Sequence, residues 1–162
     1  MLARLFIISF FSFILFIPHS NGQEVVLSAE EREIMTRDVM AAYPDQFQTV
    51  KITTMTRLDE HYLRLEYVNL NSRWEAVLQI DESQPTLVET GQILLREDWP
   101  GFIIDALKSK GYNLQQIDKI LKVSTPYGEQ GYRADVQPEK QDSDTLIRHY
   151  FDRQGMFKKP IY

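Results

Sequence analysis

Apolar positions in this chain recur with two different periods, and the switch between them marks the elements. Ser28-Ala29-Glu30-Glu31 has the form of a capping box, Ser28 as N-cap and Glu31 three residues on. Ile34, Met35, Val39, Ala42 and Tyr43 then follow at helical spacing, which predicts a helix from Ala29 to Ala42, stopped by Pro44. Beyond it the period becomes two. Val50-Lys51-Ile52 opens a strand. Leu63, Leu65 and Tyr67 alternate with Arg64 and Glu66, and Trp74, Ala76, Leu78 and Ile80 alternate on the next segment. Asn69-Leu70-Asn71-Ser72 supplies turn formers between them. Asp81 to Pro85 reads as a loop and Gly91 to Leu95 as a short closing strand.

A second series follows the same order. Trp99-Pro100 opens a helix carrying Phe102, Ile103, Ala106 and Leu107, with Asp98 or Trp99 as the cap candidate. Lys108 and Lys110 suit the last turn, and Gly111 the left-handed C-terminal position. Strands are predicted from Ile117 to Val123, through Tyr132, Ala134 and Val136, and from Leu146 to Phe151. Asp152-Arg153-Gln154-Gly155 is a tight turn before a last strand at Met156-Phe157. Tyr43 and Tyr112 are 69 residues apart, as are Leu63 and Tyr132; Ile80 and Phe151 are 71 apart. A shift of two keeps strand parity, so both series bury the same face. The pattern reads as an internal duplication.

Residues 5–17 form an almost unbroken apolar run after Arg4, closed by Pro18 and by the small residues of Ser20-Asn21-Gly22. That is the pattern of a secretory signal peptide, and it is shorter than the roughly 20 residues of a membrane span. Cleavage is expected near Gly22. The division that follows is 1–22 signal peptide, 23–96 first repeat and 97–162 second repeat. There is no cysteine, which excludes disulfides, thiolate metal sites and a lipid-modified N-terminal Cys. A small exported domain without bridges points to a bacterial envelope, periplasmic or secreted. The net charge is −5, with acidic and basic residues interspersed and no basic run, so nucleic acid is not an expected partner.

The short helix at Trp99-Pro100, Gly111-Tyr112, the central Tyr132 and the Phe151-Asp152-Arg153-Gln154-Gly155 turn resemble the PepSY-like family of exported bacterial proteins. In tandem they resemble the fold of the beta-lactamase-inhibitor proteins. The first series departs from the pattern, because Asp81 is followed by a longer loop before Gly91. The resemblance implies a non-enzymatic module, with inhibition of a peptidase or beta-lactamase as a family-level expectation; a shared fold does not fix function.

The residues offer little chemistry. His61 and His149 are not at a metal-binding spacing, and Asp142-Ser143-Asp144 lacks the glycine and distal Glu of a calcium loop. There is no nucleophile elbow and no glycine-rich phosphate loop. No catalytic residue, metal or cofactor is assigned. Tyr62, Tyr67, Trp74, Tyr127, Tyr132 and Tyr150 fall on strands and turns, where aromatics pack in cores and also anchor interfaces. Neighbouring strand residues point to opposite faces. If Leu63 and Phe151 face the helices, Tyr62 and Tyr150 face away. The expected fold is α+β: two tandem helix-plus-antiparallel-sheet repeats with the helices packed on one face of the sheet. The expected function is an exported non-catalytic binding module, inhibiting or scaffolding an envelope protein. Its contact surface is the open sheet face, with Tyr62, Arg64, Arg133, Arg148 and Tyr150. The alternative is a periplasmic carrier of a small ligand or ion.

Overall fold

The computed structural model describes residues 25–81, 84–138 and 146–159. Among these residues, nine antiparallel strands form one sheet in which each strand pairs with its neighbours in sequence. They are β1 (Val25–Val26), β2 (Lys51–Arg57), β3 (Tyr62–Asn69), β4 (Ser72–Gln79), β5 (Thr86–Ile93), β6 (Ile117–Ser124), β7 (Gln130–Val136), β8 (Ile147–Phe151) and β9 (Phe157–Lys158). Helices α1 (Ala29–Ala42) and α2 (Pro44–Phe47) precede β2, and α3 (Gly101–Ser109) lies between β5 and β6.

This corrects the expected fold class. The chain is not a pair of helix-plus-sheet repeats. It is a single continuous meander dominated by strands, and helix is a minor part of it. The two series are not separable as sheets, because β5 and β6 hydrogen-bond directly from Thr90 opposite Ser124 to Ile93 opposite Leu121. The ladder therefore runs without interruption across the expected boundary at residues 96–97. The strand expected at Gly91–Leu95 is longer: β5 starts at Thr86 and pairs with β4 along most of its length. The signal-peptide segment and Asp142-Ser143-Asp144 lie outside the described residues.

Local chemistry accounts for the helices. The Ser28 hydroxyl accepts from the Glu31 backbone N–H while the Glu31 carboxylate accepts from the Ser28 backbone N–H, closing a capping box on α1. The Ser28 hydroxyl and then its backbone N–H, both donating to the Glu31 carboxylate, hold that carboxyl below the usual range. The N-cap of α3 is instead Pro100, not Asp98 or Trp99, and no side chain caps the helix. Gly111, at φ +92, ends it in the left-handed region, where a Cβ would be strained.

The sheet's two faces differ. One packs against the helices in two apolar clusters. Val39 of α1 and Phe47 of α2 pack with Met55, Leu63, Leu65, Tyr67, Ala76 and Leu78. Ile103 and Leu107 of α3 pack with Ile117, Ile120, Ala134, Val136 and Phe151. Between the clusters this face is polar. Thr90 and Ser124 share a hydroxyl hydrogen bond of 3.1 Å, and Gln92 and Lys122 sit opposite one another on β5 and β6.

Candidate functional site

Strand parity assembles the second face. Leu63, Leu65 and Tyr67 point towards the helices, so Tyr62, Arg64 and Glu66 point away. Strand pairing carries that face across the sheet. Glu66 lies opposite Glu75 and Arg64 opposite Val77. Glu75 lies opposite Gly91, and Val77 opposite Glu89. Gly91 faces Val123 and Ile93 faces Leu121. Leu121 then faces Arg133, Lys119 faces Asp135, and Arg133 faces Tyr150.

Arg133 is the hub of this face. Its side chain is 0 % exposed and contacts three carboxylates. Nε donates to Asp135 Oδ1 at 2.9 Å and Nη2 to Asp135 Oδ2 at 3.2 Å. Nη1 donates to Glu89 Oε1 at 2.7 Å, and Nη2 also donates to Glu75 Oε1. Lys119 supplies the second cation. Its ammonium donates to Glu75 Oε2 at 2.7 Å and to Glu66 Oε1 at 3.3 Å, and lies 3.9 Å from Asp135. Like charges opposite one another on paired strands repel, so Lys119 is what lets Glu66 and Glu75 face each other. Arg73 completes Glu66 at 3.3 Å from the rim.

These contacts shape the sheet. β4 and β7 are three strands apart, as are β3 and β6, about 14 Å in a flat sheet. Direct Arg133–Glu75 and Lys119–Glu66 bonds over that span require the sheet to bend around this face. Gly91 lies between the two sets of charges, paired with Glu75 on β4 and Val123 on β6. A Cβ there would meet Val123 Cγ1 at 2.9 Å and Leu121 Cδ2 at 3.1 Å, so β6 side chains fill the space of the missing one. Val77 and Leu121 are fully buried beside the charges, although they point away from the helices.

The electrostatics follow from burial and partner count. Burial pushes the Glu75 carboxyl up, but Arg133, Lys119 and Arg64 outweigh it and hold it at about 2. Burial pushes Glu89 up too. Only Arg133 opposes this, while Glu75 and Asp135 add to it, leaving Glu89 at about 7. Glu89 Oε2 is buried and accepts no hydrogen bond among the described residues.

All five residues assigned to the contact surface share this face, but it is not open at its centre. Arg133, Tyr150 and Arg64 are buried; Tyr62 and Arg148 are half-buried. The centre is closed because the sheet curls and long side chains cover each other. Glu75, Glu89, Lys119 and Asp135 were missed. One signal pointed to them: Ala76-Val77-Leu78 and Ile120-Leu121 are unbroken apolar runs, the mark of strands buried on both faces. His149 lies on the helix face, 3.1 Å from the Tyr112 hydroxyl and edge-on to Phe157, with its pKa lowered by burial and by Lys110. His61 is exposed in the β2–β3 turn, where its backbone N–H donates to Asp59.

Among the described residues no group of His, Cys, Asp and Glu is arranged to hold a metal ion. The buried carboxylates are already paired with Arg133 and Lys119. A cavity of about 210 Å³ opens beside the hub between Val123, Gly131, Tyr150 and Lys158, and an open groove of about 810 Å³ runs along α1 from Leu27 to Met40. No described helix is long and apolar enough to cross a membrane. No family model matches the chain, and no curated protein or solved structure matches it either.

Proposed function

We propose that the protein is an exported, non-catalytic binding module of the PepSY-like kind that engages an envelope protein. Leu70 carries this reading. It occupies the tip of the β3–β4 hairpin at φ +48, followed by Asn71 at φ +64, and is 92 % exposed. Such a two-residue turn favours Asn, Asp or Gly, and a leucine there costs roughly 1 kcal/mol in backbone strain. Its side chain recovers little of that by burial within the chain. An exposed, strained leucine is accounted for by a pocket on another molecule. Tyr127, 94 % exposed in the Thr125–Gly128 turn, adds a second projecting anchor at the opposite end of the sheet. Tyr62 and Arg148 supply the accessible part of the intervening face, with Arg64, Arg133 and Tyr150 as its rigid floor. A small-ligand carrier finds less support, because the cavity beside the hub is smaller than the usual ligand pocket of about 300 Å³ or more and the larger groove along α1 is open rather than enclosed.

Leu70→Asn separates folding from binding, since asparagine tolerates the left-handed region. The variant is expected to melt at or above the parent temperature. It is also expected to lose a partner that the immobilised parent captures from an envelope extract. Capture unchanged in both Leu70→Asn and Tyr62→Ala would sink the reading.

A further inference from the structure

Glu89 is the least compensated charge in the hub. Arg133 shares its donors among three carboxylates. Asp135 takes two hydrogen bonds from it, and Glu75 takes one and a second from Lys119. Glu89 takes one, on Oε1, and its Oε2 has no partner among the described residues. The residue is 1 % exposed, so bulk solvent screens it little.

The groups facing Glu89 come from every strand around it. They are Glu75 on β4, Lys119 on β6, Arg133 and Asp135 on β7, with Arg64 and Glu66 beyond on β3 and Arg148 and Tyr150 on β8. Arg64 acts on Glu75, and Arg73 balances Glu66 at the rim. Three cations, Arg133, Lys119 and Arg64, thus act on Glu75, whereas Arg133 is the one cation that opposes burial at Glu89.

We propose that the Glu89 carboxyl is a built-in proton-binding site, occupied in the folded protein from mildly acidic to neutral pH, whose emptying weakens the join between β5 and β7. The proton resides on Oε2, while Oε1 continues to accept from Arg133. When it leaves, Glu89 becomes a buried anion on a guanidinium that already donates to Glu75 and Asp135. The bridge that closes the curved face is then under repulsion, and the fold is held most tightly in a mildly acidic medium. The sign follows from linkage. A carboxyl raised from its ordinary 4.5 to about 7 gives stability that is full below 4.5 and lost as pH rises through 7.

The test is a set of denaturant midpoints between pH 5 and pH 8.5 for the protein and for Glu89→Gln, which keeps a neutral acceptor. The parent's folding constant should fall by up to about a hundredfold across that window. The variant should be flat, apart from the histidine contribution common to both. Equal slopes in the two proteins would overturn the proposal. Should the variant not fold, carboxyl-carbon NMR of the parent decides. A Glu89 midpoint about two pH units above the exposed glutamates supports the site, and a midpoint among them overturns it.

Discussion

The two faces of the sheet solve the same problem by different means. On the helix face, apolar burial comes in two separate clusters, and Thr90, Gln92, Lys122 and Ser124 occupy the seam between them. On the other face, a single ionic cluster crosses that seam. Glu66, Glu75 and Glu89 come from β3, β4 and β5, and Lys119, Arg133 and Asp135 from β6 and β7. The apolar clusters stabilise their own regions. Beside the β5–β6 ladder and the apolar contact of Leu121 and Val123 with Gly91, the side-chain contacts that reach furthest between the regions are ionic. Buried ion pairs are poor sources of net stability, because desolvation offsets most of their attraction. What this one supplies is geometry: it fixes how sharply the sheet bends and in which register the regions meet.

The comparison can be broken most severely at Arg133. Arg133→Ala removes a hydrogen-bond donor from three buried carboxylates, of which Glu75 keeps Lys119, and should cost about 3–5 kcal/mol, read as a shift in denaturant midpoint. A cost below 1 kcal/mol would mean that the ionic cluster is incidental. Ile103→Ala tests the separateness of the clusters. It should cost about 2–4 kcal/mol and lower amide exchange protection in β6 to β8, while the slow amides of β3 and β4 change less. Uniform loss would show one core rather than two. The acid limb isolates Glu75. Its carboxyl, held near 2 in the fold, stabilises above its ordinary 4.5, and that contribution is lost as pH falls from 4.5 through 2. The loss should be on the order of 3 kcal/mol and absent in Glu75→Gln. The smallest effect belongs to the polar seam. Ser124→Ala removes one half-buried hydroxyl bond and should cost about 1 kcal/mol or less in thermal unfolding. A cost near that of Arg133→Ala would place the joint on the helix face.

Much of the local structure was legible. The Ser28–Glu31 box and Pro44 bracket α1 because capping and proline act over a few residues. Alternation at 63, 65 and 67 placed Tyr62 and Arg64 on the face away from the helices. The overall architecture was not legible, because similar spacing in two stretches does not say whether their strands join. That depends on β5 meeting β6 across α3, a contact between segments about thirty residues apart. The ionic cluster was hidden for a related reason. Its members are 44 and 58 residues apart in sequence, and each reads singly as a solvated strand position. Curvature of the sheet turns them inward, and only the apolar flanks Val77 and Leu121 hinted at it.

Because every strand lies beside its neighbour in the chain, β2 to β5 and β6 to β9 can each zip up one hairpin at a time, and the β5–β6 join closes across α3. Such wiring favours quick folding for a β-rich protein. The guanidinium of Arg133 has to wait: its bond to Glu75 closes a loop of nearly sixty residues. That bond belongs to the last stage, after the meander has formed. Removing it should therefore leave the refolding rate almost unchanged and make the protein come apart sooner.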